Sequence, residues 1–174
     1  MGDSFFKYIQ LLELFAFFSG YPLIYALIAF IKGNAKRKDD VRNTLFILLP
    51  IAYAIVGLLY LGLQLKKFYP DYLLTHIRAG IEHPLLTMWA LLSTLFFIPL
   101  LNRKPVISLL HSLVFFFFIL KDFYMQTTSP VPDPDVLKNY TRVYSDSIIL
   151  NIGVLLFLLV AYYAGRSIIK RIHV

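Results

Sequence analysis

Five apolar runs, each near the length a helix needs to cross a lipid bilayer, take up most of this chain and decide what it can become. They fall at residues 8–31, 44–65, 84–101, 105–124 and 145–169 of 174. A hydrocarbon core about 30 Å thick calls for about 20 consecutive apolar residues in a helix. No water is present there to bond peptide groups, so only helices and closed barrels are viable. A barrel needs short alternating segments, and the run Val-Phe-Phe-Phe-Phe-Ile-Leu at 114–120 does not alternate. The sequence therefore predicts an all-α integral membrane protein, one polytopic domain over residues 1–174 with five transmembrane helices. Hydrophobic residues make up 59% of the chain and charged ones 16%, which leaves no stretch for a separate soluble domain.

The charges orient the bundle. The connection after the first run holds Lys32, Lys36, Arg37, Lys38 and Arg42, the turn at 102–105 holds Arg103 and Lys104, and the tail holds Arg166, Lys170 and Arg171. All fall on one side of a five-span arrangement, giving that side ten basic and two acidic residues against seven and eight on the other. The positive-inside rule then places the N-terminus outside and the C-terminus in the cytoplasm, in a plasma or bacterial inner membrane. The net charge of +7 is dispersed over short loops and calls for no nucleic-acid partner. Residues 1–7 lack the strongly basic start of a cleavable leader, and the apolar run that follows is too long for one. The absence of cysteine excludes disulfides, thiolate metal sites, c-type haem attachment and S-palmitoylation.

Two interruptions stand out along the chain. Ser19-Gly20-Tyr21-Pro22 inside the first run predicts a bend or a missing backbone bond, because Pro22 has no N–H to continue the ladder. Residues 71–82 read as a short amphipathic segment on the outer surface, led by Pro70, with Leu73, Leu74, Ile77 and Ile81 on one face. The loop at 126–144 begins as extended, Pro-rich chain, and 135–142 adds a short helix before the last span. Asn139-Tyr140-Thr141 matches a glycosylation sequon on the outer side, a three-residue pattern of low specificity.

Polar residues inside spans are costly and face the bundle interior. Here they gather in the outer half: Gln10 and Glu13 in the first span, Gln64 in the second, Glu82 and His83 at the start of the third, Asp122 at the end of the fourth, and Asn151 in the fifth. Helical spacing supports inward stripes. These are Gln10–Glu13–Phe17–Gly20, Pro50–Tyr53–Gly57–Tyr60–Gln64, Ser108–His111–Phe115–Phe118–Asp122 and Ser147–Asn151–Val154–Leu158. Together they suggest a cavity that narrows inward, with these seven residues as candidate ligand-binding groups. Glu13 is the most demanding, since it lies about 9 Å deeper than Lys7: it takes Lys7, Lys121, Arg78 or a bound cation as partner, or else is held neutral. Polar helix ends meeting headgroups and water explain much of the same pattern with no function.

Metal and haem chemistry finds little support. His76 and His83 are seven residues apart, about 10 Å along a continuous helix, too far to share one ion. No His-Glu-x-x-His or Glu-x-x-His pair occurs, so no metal and no cofactor is assigned. His111 reads as a hydrogen-bonded interior histidine near Ser108 and Ser112. No nucleophile motif surrounds Ser147, and no catalytic residue is assigned. The leading function is a non-catalytic subunit of a larger membrane assembly that binds a protein partner or amphipathic ligand through the outer polar layer. Its partners would be the bilayer, other membrane subunits or further copies of itself. The alternative is an oligomeric channel or small-solute transporter using Glu13 and Asp122. A lipid-modifying enzyme at the outer face, with Glu13 and His83 as acid and base, comes third.

Overall fold

The structure, a computed structural model, describes residues 2–33, 40–70, 72, 81–130 and 134–172. Of residues 2–7, 32, 33, 40, 42 and 169–172 only the backbone is described. His76, Arg78 and most of the expected amphipathic segment at 71–82 lie outside the described residues, as does Pro-rich chain at 131–133.

Among the described residues every regular element is helical. In chain order they are α1 (Gly2–Phe18), α2 (Tyr21–Gly33), α3 (Asp40–Lys67), α4 (Pro84–Leu91), a 3₁₀ turn (Leu92–Phe97), α5 (Pro99–Asn102), α6 (Pro105–Thr127) and α7 (Pro134–Ile172). Among the described residues, four helical stretches are long and apolar enough to cross a membrane: Tyr8–Ile31, Asn43–Lys67, Pro105–Thr127 and Pro134–Ile168.

The first stretch is broken where the sequence predicts. α1 stops at Phe18 and α2 starts at Tyr21. The Ser19 N–H still reaches Phe15 O at 3.0 Å, doubled by the Ser19 hydroxyl at 2.6 Å. Beyond it the ladder lapses, and α7 takes over. The Gly20 N–H donates to Ser147 Oγ at 2.9 Å, and Asn151 Nδ2 donates to Phe17 O at 2.8 Å. The break therefore exposes no peptide group to lipid at these two points, the condition for tolerating irregular backbone at membrane depth. Gly20 is required by the close approach: a Cβ there would stand 2.6 Å from the backbone nitrogen of Ile148.

The third apolar run does not form one helix. Ser93 and Thr94 turn their hydroxyls back onto the carbonyls of Ala90 and Leu91, at 2.5 and 2.8 Å. The backbone tightens there into the 3₁₀ turn. Pro99 then pushes Ile98 into extended geometry (φ −70°, ψ 127°) before α5. This segment packs closely on α3 at Gly57, whose missing Cβ leaves room for the Ser93 side chain.

The last run extends further than expected. The short helix at 135–142 and the final span are one continuous 39-residue helix. Pro134 occupies its first turn and no Pro or Gly follows until Gly153, so nothing separates the two. The sequon lies within its first turns, where Tyr140 is buried.

Aromatic rings fill the centre. Phe18 stacks on Phe115 at 4.8 Å and meets Tyr53 and Tyr60 edge-on at 5.8 and 5.5 Å, while Tyr21 and Tyr53 lie 4.4 Å apart. The stripe predicted on α3 is buried as drawn at Pro50, Tyr53 and Tyr60. On α6 the buried face is Ser108, Ser112, Phe115 and Ile119, while Phe118 is exposed. The stripe drawn from Ser108 to Asp122 is thus displaced beyond Phe115. A run apolar on all sides offers no amphipathic contrast to fix its phase.

Candidate functional site

The polar layer expected from the sequence resolves into three groups of ties. The first joins α1, α3 and the start of α4. The Glu82 N–H donates to Gln10 Oε1 at 2.9 Å. Lys67 Nζ forms an ion pair with Glu13, both side chains about one-third exposed or less. The Tyr60 hydroxyl is reached by Thr87 and Gln64, with the Glu13 carboxylate nearby. His83 occupies the N-cap position of α4 without capping it through its side chain. Gln10, Glu13, Gln64 and Glu82 are therefore brought together on one side of α1.

The second group lies on another side of that helix. Tyr8 and Phe15 pack against Tyr140 of α7, at 6.1 and 6.5 Å between ring centroids. The Tyr140 hydroxyl faces the Asp122 carboxylate of α6, which also lies beside Lys121. The third group is the clamp on the helix break. Asn151 spends both amide hydrogens there, on Phe17 O and Ser147 O, each at 2.8 Å. Its Oδ1 is buried without a hydrogen-bond partner.

Among the described residues the partner of Glu13 is Lys67, which is not one of the candidates drawn from sequence; of those, Arg78 and the side chain of Lys7 lie outside the described residues. Lys67 ends α3 and reads from sequence as a headgroup anchor. In the fold α3 crosses α1 with that end beside Glu13. His111 is a hydrogen-bonded interior histidine, as the sequence suggests. Its Nδ1 shares a hydrogen bond with the Tyr53 hydroxyl at 2.8 Å, not with Ser108 or Ser112. Ser112 bends back onto Leu109 O, and Ser108 onto Pro105 O, the local alternative open to helical serines. Because Ser108 donates to Pro105 O, the Tyr21 hydroxyl is the donor in its 2.7 Å bond to Ser108. Trp89 stacks on the His111 ring at 4.6 Å and donates its indole N–H to His111 O.

Between α6 and α7, at the level of the Asp122–Tyr140 contact, lies a groove of about 380 Å³. Phe116, Ile119, Leu120 and Phe123 form one wall, and Tyr140, Thr141 and Tyr144 the other. Sequence reasoning lists Asp122 but misses this groove, which depends on the crossing of two helices and the extra length of α7. The available signal is the aromatic pair Tyr140 and Tyr144, one helical turn apart. Among the described residues, no three His, Asp or Glu side chains gather as a metal site would require.

The chain is thus an all-helical bundle of membrane-protein type. Compared with protein-family models, curated proteins and solved structures, it matches none.

Proposed function

We propose that this protein is a non-catalytic subunit of a membrane assembly that holds an amphipathic ligand in the outer half of the bundle. The observation that carries this reading is the α6–α7 groove: its lining is almost wholly apolar, yet Tyr140 joins it to the Asp122 carboxylate. An apolar cleft with a few polar groups at one edge is the common form of a ligand site, and its volume lies in the usual range. Gln10, Glu13 and Asn151 already serve as ties between elements.

Five crossings fit this reading. Counting about 1.5 Å per α-helical residue and 2 Å per 3₁₀ residue, the pieces of the segment from Pro84 to Asn102 laid end to end would rise about 30 Å, the thickness of the hydrocarbon core. The groove then opens on the outer side, opposite the ten basic residues. The apolar stretch of α7 is 11% buried against 56% for that of α1 and α2, which leaves α7 free to meet lipid or another subunit.

The test uses a photoreactive single-chain amphiphile added to the purified protein in lipid nanodiscs. Leu120→Trp fills the groove from an exposed position and is expected to abolish labelling of α6 and α7 with an unchanged melting temperature. Labelling that persists there in Leu120→Trp overturns the proposal.

A further inference from the structure

At the opposite end of the bundle a second cavity, about 400 Å³, opens between the first turns of α3 and the α5–α6 connection. Its lining has two characters. Phe46, Ile47, Pro99 and Pro105 are apolar, while Asn102 and Arg103 are polar and adjacent in the turn. Ile47 is 63% exposed, and Leu100 next to Pro99 is 73% exposed, so the apolar part continues onto the outer surface of the bundle. On a membrane helix that surface meets acyl chains.

Arg103 and Lys104 are both exposed. Among the described residues, neither has an acidic partner. In sequence this is the side with ten basic residues and only Asp39 and Asp40 to offset them. Three features thus coincide: a cavity, the Arg103 cation in its polar lining with Lys104 next in the chain, neither with an acidic partner among the described residues, and an apolar wall open to lipid.

The geometry points to a binding site for one anionic phospholipid, its phosphate held by Arg103 with Lys104 beside it, and the start of one acyl chain along Phe46 and Ile47. A guanidinium binds phosphate through two parallel hydrogen bonds, and basic pockets between helices select anionic headgroups. A free phosphate would use Arg103 but gain nothing from the apolar wall. A zwitterionic lipid would bring its own cation toward Lys104. The outer groove has no cation in its lining, so the two sites are distinct and the outer one can fail without affecting this one.

Native mass spectrometry of the detergent-purified protein, with equimolar phosphatidylglycerol and phosphatidylcholine added, tests the assignment. Phosphatidylglycerol adducts are expected in excess, by about fivefold for each cation engaged. Arg103→Gln with Lys104→Gln should bring the two lipids near parity, whereas Arg103→Lys should keep most of the preference. Ile47→Asp, at an exposed position, sets a carboxylate in the same cavity and should remove the preference independently. Equal adducts in the wild type, or a preference that survives either the double variant or Ile47→Asp, overturns the proposal. Displacement of phosphatidylglycerol by excess inorganic phosphate assigns the cavity to a free anion and also overturns it.

Discussion

Asn151 shows how a single side chain can make a broken helix tolerable in a membrane. Its amide hydrogens satisfy Phe17 O from another helix and Ser147 O from its own. Asn151→Ala leaves the Phe17 carbonyl without this donor, at a cost of about 1–3 kcal/mol for a buried group. A correspondingly lower unfolding midpoint in mild detergent is the expected result, and wild-type stability would show that Phe17 O has another donor. Glu13 makes a different kind of contact, since its pair with Lys67 is partly exposed. Glu13→Gln and Lys67→Gln should each cost about 0.5–1 kcal/mol, and the double variant little more than either alone. Loss of groove labelling in Glu13→Gln at unchanged stability would move the ligand site to that side of α1. That Glu13 and Asn151 turn inward is legible in sequence, because the membrane makes the opposite orientation expensive. Their partners are not legible. Lys67 is 54 positions from Glu13, and Phe17 contributes a carbonyl, which side-chain chemistry does not mark.

At the scale of elements, the break between α1 and α2 is readable because proline removes a donor wherever it stands. Its packing consequence is not, since it depends on α7 lying against Gly20. Gly20→Ala places a methyl against the backbone of Ser147 and Ile148, which cannot rotate away. Overpacking of this kind costs about 1–3 kcal/mol. Gly57→Ala meets chiefly the small Ser93 side chain, so Gly20→Ala should lower the thermal midpoint more. The reverse order in a thermal-shift assay would contradict the α1–α7 contact. The third run and α7 mark the limits of hydropathy. The run at 84–101 is apolar enough for a helix, but serine and threonine back-bonding and Pro99 divide it. α7 joins two segments that composition alone separates.

For the whole molecule, the helical class and the four long apolar helices follow directly from run length, because the bilayer leaves the backbone few alternatives. The two cavities were beyond reach of the sequence, since each lies where two elements meet. Their placement at opposite ends follows from α6, which carries one near each of its termini, whereas the sidedness of each depends on the segment from Pro84 to Asn102 also crossing the membrane, the central claim of this account. The chain has no cysteine, so single cysteines report accessibility without background. With a membrane-impermeant thiol reagent, cysteines at positions 4, 69 and 128 are expected to react in intact cells, and those at 37 and 167 only after permeabilisation. Reaction at 167 together with 4, with 128 protected, would put both termini on one side and contradict five crossings.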